Sequence, residues 1–241
     1  MSSLATVGPN RFLDQTLLID ADDTLWENNI YFERAIASFI GYLDHRVHTP
    51  EQVREHLNRC ERATIITHGY GLQSFRRSLA KCFEELSGET ASDGHHASII
   101  SFTEEIAQAE IELLPTVGET LAAIAQRQRL IMVTKGNPDE QLGKLERSGL
   151  RSLFEAVEVL TEKDADSYRD VIQRHDCDPA ITWMIGNSPK SDINPALKAG
   201  LNTVFIPHDC TWVLEHEVVD AAPAGQRFIE VAKFCDLLDH F

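Results

Sequence analysis

Two aspartates, Asp20 and Asp22, follow a short apolar run and are the residues of this sequence best suited to chemistry. The run, residues 16–19, is typical of a buried parallel strand that leads into a loop. Side chains two apart in an extended segment point to the same side, so both carboxylates can face one site. One can attack a phosphorus atom while the other donates and later accepts a proton. An acidic surface turn is the alternative interpretation.

The chain after Pro115 alternates helix and strand patterns, which predicts a parallel, doubly wound sheet. Strands are predicted at 130–133, 157–160, 182–185 and 203–206, and helices at 118–126, 138–148, about 166–175 and before Gly200. Gly149 is expected to end the helix at 138–148. Ligands of such sheets bind beyond the carboxyl ends of the strands, where Asp20 lies.

Between Glu27 and Leu114 the apolar residues recur at helical spacing, which predicts a bundle of about four helices with a loop at 87–98. The predicted fold class is therefore α/β, with a catalytic core at 1–26 and 115–241 and a helical cap at 27–114. Within the cap, two glycines flank Tyr70 and break the helical pattern. We interpret this segment as a substrate-facing loop that offers Tyr70 and Arg76, and an ordinary interhelical turn is the alternative.

Composition restricts the classes of partner. With 43% hydrophobic and 25% charged residues, the sequence is that of an ordinary globular protein. A net charge of −16 without a basic stripe argues against nucleic acid and anionic membranes as partners. Residues 1–10 lack the features of a secretion signal and are expected to form a flexible tail, and the five cysteines are scattered and expected to be reduced. These features predict a cytoplasmic protein.

The pattern Asp20, Asp22 and Thr24 after an apolar strand resembles the first motif, DxDxT, of the haloacid dehalogenase superfamily. Three later stretches resemble the family's other motifs in the same order: Thr134 after the strand at 130–133, Lys163 after the strand at 157–160, and the segment 186–192, which begins Gly-Asn and ends in Asp192. The resemblance spans residues 17–207, and so covers most of the chain.

The resemblance implies a phosphohydrolase with a Rossmann-like core in which Asp20 is the nucleophile and Asp22 the general acid and base. Thr134 and Lys163 would stabilise the phosphoryl oxygens, and Lys135 adds positive charge for the substrate. Lys144 is the rival to Lys163, but it falls inside a predicted helix.

The resemblance also implies Mg²⁺ as cofactor. The ion would be held by the Asp20 carboxylate, the Asp22 carbonyl and Asn187, with Asp192 nearby, acting through water or orienting Lys163. The family commonly has aspartate where this chain has Asn187, whose amide oxygen can still bind a hard cation.

The expected partner is a small phosphorylated metabolite, and the chain is expected to be a monomer or a homodimer. Three alternatives stay open. The first is dehalogenation of haloacids on the same fold, which needs neither a metal nor an acid at position 22. The second is phosphomutase activity on the same fold. A catalytically silent binding protein is the third, because Asn187 departs from the pattern.

Overall fold

The computed structural model describes residues 12–43 and 47–241, and these residues form one six-stranded sheet in which all strands run parallel. The strand order is β3-β2-β1-β4-β5-β6, with β1 Thr16–Ile19, β2 Arg129–Lys135, β3 Ala156–Leu160, β4 Thr182–Gly186, β5 Asn202–Phe205 and β6 Phe228–Glu230. This topology confirms the predicted α/β class. The sequence pattern does not predict β6, because three residues are too few to show a period.

Strand β1 lies at the centre of the sheet and positions the acidic cluster. Its Leu18 pairs with Ile131 of β2 on one side and with Met184 of β4 on the other. All four residues of β1 are buried, as expected for a central strand with helices on both faces. Because the strands are parallel, the segments that follow β1, β2, β3 and β4 meet at one edge of the sheet.

Helices on both faces bury the sheet. They are α6 Val117–Ile124, α7 Pro138–Ser148, α8 Ala165–Arg174 and α9 Asn194–Lys198. Leu17 and Ile19 pack in a cluster with α6, whereas Leu18 packs in a second cluster with α8, as the alternation of strand side chains requires. Helix α7 has the predicted bounds, and Gly149 ends it in the left-handed conformation, with φ 73°. The predicted helix before Gly200 is a π-helical turn, Pro189–Ile193, followed by α9.

In the described part of the chain, five helices lie between β1 and α6: α1 Asn29–Tyr42, α2 Pro50–His68, α3 Leu72–Ser87, α4 Asp93–Phe102 and α5 Glu104–Gln108. They have their own apolar cluster, which includes Phe39, Leu57 and Leu79. The predicted loop at 87–98 is too long, because α4 already begins at Asp93. The Ser92 side chain accepts the backbone N–H of His95 and so caps this helix.

The chain leaves the sheet and returns to it at one place. The Glu27 N–H donates to the Glu112 carbonyl at 2.9 Å, and the Leu114 N–H donates to the Leu25 carbonyl at 3.0 Å. This pairing fits a helical insertion after β1, while the exact domain bounds stay a prediction.

Residues 1–10, expected to be a tail, lie outside the described residues. Among the described helices, none combines the length and the apolar character needed to cross a bilayer.

Candidate active site

The carboxyl edge of the sheet and helices α1–α3 enclose a cavity of about 170 Å³. Polar residues at or just after the carboxyl ends of four neighbouring strands line it from the sheet side: Asp20, Asp22, Thr134, Lys135, Lys163, Asn187 and Asp192. The order of the strands brings these residues together, although they are far apart in sequence. The helical side of the cavity contributes the apolar residues Phe32, Ile36, Ile65 and Phe75 together with polar residues such as Ser74 and Ser78.

Asp20 is held from two sides. The Lys163 ammonium lies 2.5 Å from its Oδ1, and the Thr24 hydroxyl donates to its Oδ2 at 2.9 Å. Burial opposes the charge of Lys163, but Asp192 and Asp20 outweigh it and raise the Lys163 pKa well above its usual range. Lys163 therefore stays protonated and fixes the orientation of the Asp20 carboxylate.

Asp192 is the second partner of Lys163 and is completely buried. Its Oδ1 accepts from Lys163 at 2.7 Å, and its Oδ2 accepts the Ser188 N–H at 2.9 Å. Burial and the nearby Asp20 raise its pKa to about 7 against the opposing effect of Lys163. A Cβ at Gly186 would lie 2.2 Å from Asp192 Oδ2, so this close approach requires glycine. Both Asp192 oxygens thus have protein partners.

Asp22 has a different set of partners from Asp20. Lys144 of α7 lies 2.8 Å from its Oδ1 and 3.0 Å from its Oδ2, while Gln141 donates to Oδ2 and the Trp26 indole to Oδ1. Burial alone would raise the Asp22 pKa, but Lys144 and these hydrogen bonds outweigh it, so the pKa lies below its usual value. Lys144 and Lys163 therefore both line the cavity, each against a different aspartate.

Thr134 and Lys135 lie at the end of β2. The buried Thr134 hydroxyl makes no hydrogen bond within the part of the chain that the structure describes, so it is free to bind a ligand. Lys135 is already engaged: its ammonium lies 2.8 Å from Glu215 and 3.2 Å from Glu162. It also donates to the Tyr70 hydroxyl at 3.3 Å.

The structure brings Tyr70 to the cavity but not Arg76. Tyr70 lies in the turn between α2 and α3, where its hydroxyl donates to Glu162 at 2.6 Å. The Arg76 Nε donates to the Thr103 hydroxyl at 2.7 Å, away from the residues that line the cavity. Ser74, Phe75 and Ser78 occupy the face of α3 that lines the cavity, so the structure does not bring Arg76 into the lining, and its contact with the substrate stays a prediction.

The family model for haloacid dehalogenase-like hydrolases matches residues 15–200. This match covers more than half of the chain. The protein belongs to the haloacid dehalogenase-like hydrolase family. It is therefore a hydrolase, as the motifs of the sequence imply.

Solved structures agree with this assignment. A haloacid dehalogenase-like hydrolase from Xanthomonas campestris is 29% identical, with a TM-score of 0.77 over 93% of this chain and 92% of that one. The protein YfnB from Bacillus subtilis, bound to magnesium, and a 2-haloacid dehalogenase from Pseudomonas syringae are 21% and 20% identical, each with a TM-score of 0.60 over 94% of this chain and 97% of theirs. The latter two show the shared fold alone. No curated protein sequence matches this chain.

The oxygen atoms around Asp20 fit the divalent cation that many hydrolases of this family use. The Thr24 hydroxyl has two possible acceptors, Asp20 Oδ2 at 2.9 Å and Asn187 Oδ1 at 3.2 Å, so both oxygens lie beside the same hydroxyl group. The Asn187 amide nitrogen donates to the Thr211 hydroxyl, which directs the oxygen toward Asp20. A hard cation such as Mg²⁺ prefers this all-oxygen environment.

Sequence reasoning missed Glu215 and Ser188. Glu215 is buried; burial opposes its ionisation, but Lys135 and hydrogen bonds from Ser188 and Ser191 lower its pKa to about 2. It lies in a short 3₁₀ helix, Val213–Glu215, outside every family motif. No sequence signal marks it, whereas Ser188 lies inside the fourth motif and accepts the N–H of Ser191.

Proposed function

We propose that this hydrolase is a phosphohydrolase that acts on a small phosphorylated metabolite, with Asp20 as the nucleophile. One observation carries the proposal: the Asp20 carboxylate is fixed by Lys163 and Thr24 in a cavity that a second carboxylate, Asp22, also lines. The leaving oxygen of a phosphate ester needs a proton, and a carboxyl group beside the nucleophile can supply it.

The charges of the cavity argue against a haloacid substrate. A 2-haloacid carries a carboxylate that must be bound next to the reacting carbon. All three lysines that line the described cavity lie on its sheet side and none comes from α1–α3, so the helical side offers no lysine to bind that carboxylate. The departure of a halide also needs no acid, so the partly buried ion pair of Asp22 with Lys144 would have no role in that reaction.

The proposed reaction has two steps. Asp20 attacks the phosphorus atom while Asp22 protonates the leaving oxygen, and Asp22 then takes a proton from the water that hydrolyses the aspartyl phosphate. The Thr134 hydroxyl and Lys163 bind phosphoryl oxygens. Because Lys144 keeps Asp22 ionised, Asp22 must separate from Lys144 to take up a proton before the first step.

Mg²⁺ is the cofactor of this proposal. The Asp20 carboxylate, the Asp22 carbonyl and Asn187 would hold the ion, and it would supply positive charge for the phosphoryl oxygens. YfnB, which shares the fold, has been solved with magnesium. We assign Asp192 to the positioning of Lys163, because both of its oxygens are occupied by protein donors.

Phosphate release from a panel of small phosphate monoesters, with and without Mg²⁺, tests the proposal. Asp20→Asn should abolish release at nearly unchanged thermal stability, because an amide cannot form the phosphoenzyme. Asp166→Asn, at an exposed position of α8, is the matched control and should retain full activity.

Three results would contradict the proposal. Halide release from 2-haloacids without phosphate release would show that the protein is a dehalogenase. Phosphoryl transfer to a second substrate hydroxyl would show that it is a phosphomutase. Metabolite binding without any turnover would indicate a silent binding protein.

The sequence also supports three further proposals. They are a cytoplasmic location, the lack of nucleic-acid and membrane partners, and a monomeric or homodimeric state.

A further inference from the structure

Glu61 of α2 is a buried carboxylate on the helical side of the cavity. It is 5% exposed, and its Oε2 has no hydrogen-bond partner among the described residues. It lines the same cavity as Asp20, but from the opposite side. A buried, unpaired carboxylate destabilises a fold, so its presence beside a cavity indicates a group that a ligand completes.

The neighbouring side chains do not satisfy Glu61. Arg54 is the nearest source of positive charge on the same helix, but its two terminal nitrogens bind Glu33 at 2.6 and 2.7 Å and its Nε binds Asn58. Burial raises the Glu61 pKa to about 7, with Arg54 and Arg62 opposing the shift and Glu33 adding to it. Among residues 12–43 and 47–241, no basic side chain therefore pairs with this carboxylate.

The surroundings of Glu61 define the kind of group that fits. The helical side of the cavity contributes Phe32, Ile36, Ile65 and Phe75, which provide apolar and aromatic surface. Glu61 is the only charged residue that α1, α2 and α3 contribute to the lining of the described cavity. A carboxylate or second phosphate on the leaving group would meet an unneutralised acid there, whereas a protonated amine would meet its counter-charge.

We propose that Glu61 binds a protonated amino group on the leaving group, so that the preferred substrates are small aminoalkyl phosphate monoesters. This inference rests on the proposed phosphohydrolase function and names its substrate class. The phosphate would lie at Asp20 and Thr134, the alkyl chain against Phe32 and Phe75, and the amine at Glu61. Phosphorylated carboxylic acids would be poor substrates.

Binding of inert analogues tests the inference without turnover. Calorimetry with the Mg²⁺-loaded protein compares 2-aminoethyl- and 3-aminopropylphosphonate with ethyl- and propylphosphonate. We expect at least one amine to bind roughly tenfold more tightly than its alkyl counterpart, as a charge-assisted hydrogen bond in a buried site provides. Glu61→Gln should remove this preference while preserving alkylphosphonate binding. Glu55→Gln, at an exposed position of the same helix, should keep the preference.

Proton release distinguishes recognition from a structural role. When an amine pairs with Glu61, the carboxyl must lose its proton, so binding of an aminoalkylphosphonate near pH 6.5 should release more protons from the wild-type protein than from Glu61→Gln. Measuring the binding enthalpy in buffers of different ionisation enthalpy gives the number of protons released on binding. The alkylphosphonate, which has no amine, should release equal numbers of protons from the two proteins. Equal affinity of amino and alkyl analogues, or an amine preference that survives in Glu61→Gln, would overturn the inference.

Turnover separates this inference from the proposed function. Hydrolysis of alkyl and aminoalkyl phosphates with equal kcat/KM would overturn the role of Glu61 and leave the phosphohydrolase intact. Amine binding that depends on Glu61, without phosphate release from any ester, would support the recognition site and refute the phosphohydrolase. A lower KM for the aminoalkyl ester that is lost in Glu61→Gln would support both.

Discussion

The Lys144 ammonium lies 2.8 and 3.0 Å from the two carboxylate oxygens of Asp22, so the proposed general acid is held as an ion pair by a helix that follows a different strand. The pair lowers the pKa of Asp22, while the mechanism requires this residue to carry a proton in one step and release it in the next. The strength of the pair therefore sets the pH range over which Asp22 can work.

Lys144→Met should raise the pKa of Asp22, because burial then acts without the opposing charge. Asp22 acts as an acid while it is protonated, so the limb on which kcat/KM falls as the pH rises should move to higher pH. The fold should be retained, because Gln141 and Trp26 still donate to the carboxylate. Lys198→Met, at an exposed position, is the control. An unchanged profile in Lys144→Met would refute the link between the pair and the acid.

Asp22→Ala should reduce hydrolysis of alkyl phosphates far more than that of activated aryl phosphates, since a good leaving group needs little protonation. The expected difference is on the order of 10²-fold, as is typical for the loss of a general acid. Steady-state kinetics on both substrate types measures it. Equal losses would show that Asp22 holds structure or metal and does not transfer the proton.

The amide at Asn187 should make Mg²⁺ binding weaker than a carboxylate would. Asn187→Asp adds a negative charge close to Asp20, so half-saturation should move to lower Mg²⁺ concentration, whereas Asn187→Ala removes an oxygen and should move it upward. Titration of Mg²⁺ against phosphate release compares the three proteins. Identical half-saturation would exclude Asn187 as a ligand, and phosphate release without metal in all three would exclude Mg²⁺ as the cofactor.

Glu215 should stabilise the fold in a pH-dependent manner. Its pKa falls from 4.5 to about 2 in the folded protein, so its contribution is present above pH 4.5 and is lost as the pH falls toward 2. Glu215→Gln should therefore lower the free energy of unfolding at pH 7 by up to about 3 kcal/mol, and by much less near pH 3.

Denaturant unfolding of Glu215→Gln and of the exposed control Glu230→Gln at both pH values measures this difference. The control should be close to wild type throughout. A loss for Glu215→Gln that is the same at pH 3 and pH 7 would mean that packing, and not the ion pair with Lys135, is the source of the stability.

The sequence by itself determined which residues meet at the sheet edge. Apolar runs identify β1 to β5, and in a parallel sheet every such strand ends at the same edge, so Asp20, Thr134, Lys163 and Asn187 are brought together by connectivity alone. The end of α7 at Gly149 and the presence of helices between β1 and α6 were predictable too, because both depend on interactions between residues that are close in the sequence.

Only the tertiary structure decided how the charges are paired. Lys144 and Lys163 are equivalent as residue types, and the packing of α7 against the loop after β1 is what places one on Asp22 and the other on Asp20. The same holds for Arg76, which α3 directs to Thr103, and for Glu61, whose Oε2 has no hydrogen-bond partner among the described residues. The side chain that a helix presents to a cavity depends on its rotation and docking, and these are set by contacts between segments distant in the chain, which a one-dimensional pattern does not contain.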